Sequence, residues 1–265
     1  MKTLKHTTIQ AFKQFLLFCV ICVTVACGGK KGDGIQSFSI EGSLSNAANK
    51  MLYIEEMTPD NGPQFIDSIL CDANGHFKFE GTMHYQTFFN LHGSLYDYVV
   101  LLPSDGDKIE LTGDANDLGN TYIIKGSPES QLMWQIQNYI NQANLAIQEL
   151  AQQDNNNRSS LSKSDYEKAH AATDSLFLAE WRTTHQMMLN FIDNNPGSLS
   201  TLYAIDAPFN HTMRLFYQES DFDIFEQVLQ GLDEKCPDNP HTQYYRTRVE
   251  RARAMASTQE IVIGD

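Results

Sequence analysis

From Ser37 to Gly126 apolar and polar positions alternate with a period of two. Phe38 and Ile40 alternate with Ser39 and Glu41, Phe77 and Phe79 with Lys78 and Glu80, and Ile109 and Leu111 with Glu110 and Thr112. Alternation of this kind marks strands that bury one face. Turn chemistry punctuates it at Asp60-Asn61-Gly62-Pro63, Asp72-Ala73-Asn74-Gly75, Ser104-Asp105-Gly106-Asp107 and Gly113-Asp114. The runs between these turns number about eight, spaced as an antiparallel β-sandwich requires. Tyr98–Leu102 (YVVLL) is the least polar run and is expected to form a central strand.

From Ser127 onward the period becomes that of a helix. Ser127-Pro128 supplies an N-cap and a proline at the first helical position. Leu132, Ile136, Tyr139, Ile140, Ala143, Ile147 and Leu150 then recur at spacings of three and four. The polar stretch Asp154–Ser162 (DNNNRSSLS) reads as a loop. A second helix is expected to open with the capping box Ser164 and Glu167, to turn Trp181, Met188, Phe191 and Ile192 inward, and to stop at Asn195-Pro196-Gly197. Together these predict a long antiparallel helical hairpin. Shorter helices follow: one from about Leu199, one capped by Ser220, and one capped by Asn239 with Pro240 at its first position. The fold class is therefore α+β: a β-sandwich over residues 37–126, and a helical region over 127–260 packed on or beside it.

The N-terminus has a different character. Lys2, Lys5 and Lys13 precede the apolar run Phe15–Ala26, which is shorter than the roughly 20 residues a membrane-spanning helix needs. A basic start followed by such a run is the pattern of a secretory leader. It ends in Thr24-Val25-Ala26-Cys27-Gly28, which resembles a bacterial lipobox and implies cleavage before Cys27 with lipidation of its thiol. An ordinary leader cut elsewhere, or a short membrane anchor, is the competing reading of the same run. Residues 1–26 would then be the signal peptide and 27–36 a flexible tether. Aspartate is absent directly after the cysteine, and the tether has no acidic run. Both features resemble lipoproteins retained on the periplasmic face of the outer membrane.

Composition narrows the chemistry. The 265 residues carry 19 Lys and Arg against 33 Asp and Glu, a net charge of −14. Removing residues 1–26 takes away three lysines and no acid, leaving 16 against 33, or −17. A chain this acidic has no means of displacing counterions from a phosphate backbone, which argues against nucleic-acid binding. It would also be repelled by anionic lipid, so acyl chains rather than charge would hold it at a membrane. Only Cys71 and Cys236 remain as thiols in the mature chain, and a disulfide between them is one reading in an oxidising compartment.

No catalytic constellation emerges. His170 and His185 lie on the second long helix without an H-x-x-x-H partner, and His84 and His92 read as exposed or hairpin-edge residues. Asp72 with Asn74, and Asp105 with Asp107, fail the spacing of a calcium loop and read as turns. Glu55-Glu56 sit on a strand, where neighbours face opposite ways, and Asp221 and Asp223 suit the first turn of a helix. Trp134 and Trp181 read as core rather than a ligand box. No nucleophile elbow, P-loop or dinucleotide fingerprint occurs. The expectation is a non-enzyme with no cofactor and no metal site.

The order of motifs resembles a known module. Phe38-x-Ile40-x-Gly42 is followed by Asp67-Ser68, then Asp72-x-Asn74-Gly75-x-Phe77-x-Phe79. Leu102-Pro103-x-x-Gly106-Asp107, Ile124-x-Gly126-Ser127 and Asn195-Pro196-x-Ser198 complete the series. This is similar to the N-terminal domain of unknown function carried by TlpA/ResA-like thiol-disulfide oxidoreductases, and the resemblance runs from about Phe38 to Gly264. In those proteins a thioredoxin fold with a Cys-x-x-Cys follows. Here the sequence stops at Ile261–Asp265, where the linker into that fold would begin, and the mature chain has no Cys-x-x-Cys. Disulfide exchange needs both an attacking and a resolving thiol, so that activity does not carry over.

Three readings follow. The first is a scaffold or partner-recognition module of the cell envelope, bound to the membrane through its lipid. The second is a truncated or split redox enzyme, its thioredoxin-fold part lost or carried by a separate thioredoxin-fold protein. The third is a small-molecule or glycan-binding lipoprotein using an open face of the sandwich.

Overall fold

The computed structural model describes residues 34–263, His211 excepted, with side chains as far as Met255. The leader and the lipobox at Cys27 lie outside these residues. From Ile35 onward the chain forms one compact unit.

Eight strands form two four-stranded sheets. The first has the order β4 (His76–Met83), β1 (Gln36–Ser45), β7 (Lys108–Asp114), β8 (Ile123–Lys125). The second has the order β3 (Gly62–Leu70), β2 (Met51–Thr58), β5 (Phe88–Ser94), β6 (Asp97–Leu101). The period-two residues named above supply the core between the sheets. Phe38, Ile40, Phe77, Phe79, Ile109 and Leu111 from one sheet meet Leu52, Ile54, Phe89, Leu91, Val99 and Leu101 from the other. Phe38 and Phe89 lie 4.9 Å apart across the sandwich.

Two strand expectations are corrected. The sandwich is not wholly antiparallel: β1 pairs parallel with β7, from Ser39 opposite Lys108 to Ser45 opposite Asp114. The chain leaves β1 to build the whole second sheet and β4 before β7 returns, so no hairpin ties the two directions together. Tyr98–Leu102 is not central either, because β6 is the last strand of its sheet. Its apolar run reflects burial on both faces: Val99 and Leu101 enter the sandwich core, while Val100 and Leu102 enter a second core with the helices.

Turn chemistry sets the registers. Gly75 adopts φ of 80°, and a Cβ there would lie 2.1 Å from the carbonyl of Leu44, so only glycine fits. Asp72 closes the same turn by accepting from the backbone N–H groups of Asn74 and His76.

Among the described residues six helices follow or interrupt the strands: α1 (Leu118–Thr121), α2 (Pro128–Ser160), α3 (Lys163–Asn194), α4 (Ser200–Asp206), α5 (Phe222–Lys235) and α6 (Pro240–Ile263). Ser127 caps α2 by accepting from the N–H of Ser130, as its sequence promised. The hairpin of α2 and α3 is present, but its loop is far shorter than expected. Helix α2 runs through the polar stretch to Ser160, and the cap of α3 is Ser162 rather than Ser164. Ser162 accepts from the N–H of Asp165 and donates to its carboxylate. Asp221, not Ser220, precedes α5; its carboxylate accepts from the N–H of Tyr217 and the hydroxyl of Ser220. The inner faces of these helices join Phe88, Val100 and Leu102 in the second core, with Met188, Phe191, Phe209, Phe216 and Phe225. The molecule thus has three layers: sheet, sheet, helices.

Candidate functional site

The outer face of the second sheet is covered over only half its length. At one end Phe88 and Val100 pack under the helices, with Met57 partly buried beside them. At the other end the cross-strand pairs Met51–Leu70, Tyr53–His92 and His92–Tyr98 put their side chains on a face that the helices touch only at Tyr98. Phe65, opposite Glu55 across a bulge that leaves Ile66 as the extra residue, extends it. Phe65 and Leu70 are each 63% exposed, and Tyr53 and Tyr98 about 40%. His92 lies in the floor of this face, 6% exposed, its ring 5.7 Å from that of Tyr53. Neither of its nitrogens has a hydrogen-bond partner; the nearest acid, Glu55, places Oε2 at 3.5 Å from Nε2. The reading of His92 as exposed is therefore corrected: Tyr53 and Tyr98 flank it on the adjacent strands and shut out solvent. At the helix side of Tyr98 stands Tyr203, whose phenol burial pushes well above its usual range.

A second polar group gathers where α6 begins. Asn239 accepts from the N–H of His241 and donates to the carbonyl of Gln86, fixing the start of the helix to the entrance of β5. His241, 8% exposed, holds Nε2 at 2.8 Å from the hydroxyl of Thr87. The Thr87 hydroxyl donates to the carbonyl of Met57, so Nε2 must be the protonated nitrogen and donates to Thr87. In that tautomer the imidazole donates to the threonine hydroxyl rather than accepting its proton. Burial pushes His241 down to about 4, so it is neutral at pH 7. The network is a structural rivet through the sheet–helix boundary.

Beside it, one face of α6 and the tip of the β2–β3 hairpin enclose a cleft of about 550 Å³. Pro240, Gln243, Tyr244, Thr247, Arg248, Arg251, Ala252 and Met255 line it at alternating spacings of three and one, the signature of a single helix face. A smaller hollow of about 260 Å³ adjoins it, sharing Tyr244 and Arg248 and reaching His241 and Tyr203. Arg248 grips Asp206 with two bonds of 2.6 Å and lies 5.4 Å from the ring centre of Phe225. Asp60 stands at the hairpin tip and Gln218 on the approach to α5.

The other residues selected from the sequence disperse. Asp105 accepts from the N–H of Ser37, and Asp107 from the N–H of Ser104, so both serve turns. His170 stacks on Tyr166 and bonds Asp154 at 2.8 Å, which raises its basicity; His185 stacks on Trp181, and burial lowers it. Trp134 donates to the carbonyl of Tyr122 and Trp181 to that of Arg214, each at the margin of a core. Cys71 and Cys236 are free thiols in separate cores, and burial raises both. Among the described residues no three metal-ligating side chains converge, and no helix is long and apolar enough to cross a membrane.

Thr87, Asp206, Gln218, His241, Arg248 and Arg251 were not singled out in the sequence. A signal was present for part of the set: four arginines at 246, 248, 251 and 253 within one helix of a strongly acidic chain.

Fold and site together define an α+β protein, a β-sandwich with a helical layer on one sheet. Residues 38–133 match a family described as a domain of unknown function, DUF4369. No curated protein matches the chain. The matched span covers the sandwich and the first turns of α2, including the bare half of the second sheet, and ends well before α6.

Proposed function

We propose that this chain is a non-catalytic recognition module of the cell envelope, anchored through lipidated Cys27 on the periplasmic face of the outer membrane. The observation that carries the reading is the bare half of the second sheet. Exposed aromatic and aliphatic side chains on β3, β2 and β6, rimmed by Glu55 and Asn90, are unusual on a face that meets only water. A buried imidazole in its floor, whose Nδ1 has no partner and whose Nε2 meets only Glu55 at 3.5 Å, adds a demand for a polar group from outside. The fitting partner is an envelope protein that presents apolar side chains around a hydrogen-bonding group. The resemblance to the module preceding the redox domain of TlpA/ResA-like oxidoreductases supports the same role, that of positioning rather than chemistry.

The test places a photo-crosslinking amino acid at Phe65 or Tyr98 and, as a control, at exposed Leu145 on α2, in the native envelope. The expected result is one discrete crosslinked envelope protein from the two sheet positions and none from Leu145, with the adduct weakened by Tyr53→Asp. A thioredoxin-fold partner would make the pair a two-chain redox enzyme. Equal labelling from all three positions, or none from Phe65 and Tyr98, refutes the reading.

A further inference from the structure

We infer that the cleft between α6 and the β2–β3 hairpin binds a small monocarboxylate with an apolar body. Its volume, about 550 Å³, is that of a small-ligand site. Its charge is selective. Of the four arginines on α6, Arg246 is paired with Asp233, Arg248 with Asp206 and Arg253 with Glu226. Arg251 has no ion pair among the described residues, and it is one of the two that line the cleft. Arg251 is thus an unpaired guanidinium lining a concavity. Gln218 also lines the cleft, and its carboxamide nitrogen is buried without an acceptor, a condition that an oxygen able to reach it would relieve. Tyr244, Pro240, Ala252 and Met255 supply apolar wall.

The number of negative charges follows from the surroundings. Asp60 stands across the cleft, and the Asp206 carboxylate behind Arg248 already balances that cation. The four charges cancel, so the site carries no net charge to offer a phosphate dianion, while Arg251, the lining arginine without an ion pair, suits a single carboxylate. The planar guanidinium fork of Arg251 matches carboxylate geometry, with Gln218 able to donate to either oxygen. This site is independent of the bare sheet face, since it lies at the other side of the helical layer's contact with β2 and uses none of the same side chains.

The test titrates benzoate into the full chain in detergent micelles, with inorganic phosphate and benzamidine as comparisons, and follows the backbone amide resonances of α6 and the Gln218 side-chain amide. Benzoate is expected to saturate and to shift these resonances, while benzamidine and phosphate leave them in place. Arg251→Gln should weaken benzoate by about tenfold or more, as the loss of a charge-assisted pair does. Arg253→Gln, which removes a neighbouring but already paired cation, should leave it within about twofold of the parent. Gln218→Leu should weaken benzoate without lowering the melting temperature, because the nitrogen it removes has no partner to lose. Equal binding of phosphate, or an affinity indifferent to Arg251→Gln in a folded variant, overturns the assignment.

Discussion

The neutral, buried His241 makes a quantitative prediction about stability and pH. Its folded-state value, about 4, lies below the ordinary 6.5. The unfolded chain therefore binds a proton between these values that the folded chain refuses, so stability is complete above 6.5 and falls as pH drops toward 4. Each unit of depression corresponds to about 1.4 kcal/mol, so the loss is about 1.4 kcal/mol at pH 5.5 and about 2.5 kcal/mol at pH 4.5. Other carboxylates and histidines titrate in the same window, so the effect is isolated by comparison with His241→Gln, whose amide can still donate to Thr87 but cannot be protonated. At pH 7.5 the variant should be less stable by about 1 kcal/mol, from poorer fit and the loss of edge contacts with Phe88 and Tyr85. Near pH 5.5 the two proteins should be equally stable, and at pH 4.5 the variant should be the more stable by about 1.5 kcal/mol. Urea unfolding of the mature chain, followed through Trp134 at the sandwich and Trp181 on α3, measures this in both layers. A difference between the two proteins that stays constant from pH 7.5 to 4.5 would refute the account of His241 as a neutral rivet.

Two substitutions test the packing. Gly42 lies opposite Phe77, and a Cβ there would meet that ring at 2.3 Å and the carbonyl of Leu111 at 2.7 Å. Gly42→Ala should therefore cost about 1–3 kcal/mol in urea unfolding, and a neutral result would mean that β1 and β4 shift freely. Ser162→Ala should cost about 1 kcal/mol and speed amide exchange in the first turn of α3, whereas Ser164→Ala should do neither; the opposite ranking would restore the cap to Ser164.

Much of the fold was legible because burial on one face leaves a period in the sequence. Phe38, Phe77, Ile109 and their alternating neighbours announced strands, and Ser127-Pro128 and Asn239-Pro240 announced helix starts at the residues where helices begin. The polar stretch after Asp154 misled, since serine and asparagine usually compete with helical bonds. Here Ser159 and Ser160 turn their hydroxyls back onto carbonyls of their own helix, and Asp154 is held by His170 and Tyr166 from α3. That support comes from the partner helix, which local pattern does not contain. The parallel pairing of β1 with β7 is hidden for a related reason: strand direction between distant segments leaves no periodic mark. The sites were harder still. His92 and Tyr53 are 39 positions apart and become neighbours only through sheet register, and nothing local distinguishes Arg251 from the three paired arginines around it.

The place of β1 has a mechanical consequence. If Cys27 is lipidated as proposed, only eight residues separate the anchor from the strand that begins at Gln36, a reach of about 28 Å when fully drawn out. Drag on the body is therefore transmitted directly into β1. That strand is interior to its sheet, with eight residues facing β4 and seven facing β7. Tension along its axis must slide it past both neighbours, breaking many bonds together instead of unzipping them singly from an edge. So anchored, the sandwich would hang from a strand gripped on both sides, and under load the tether should go taut well before the fold gives way.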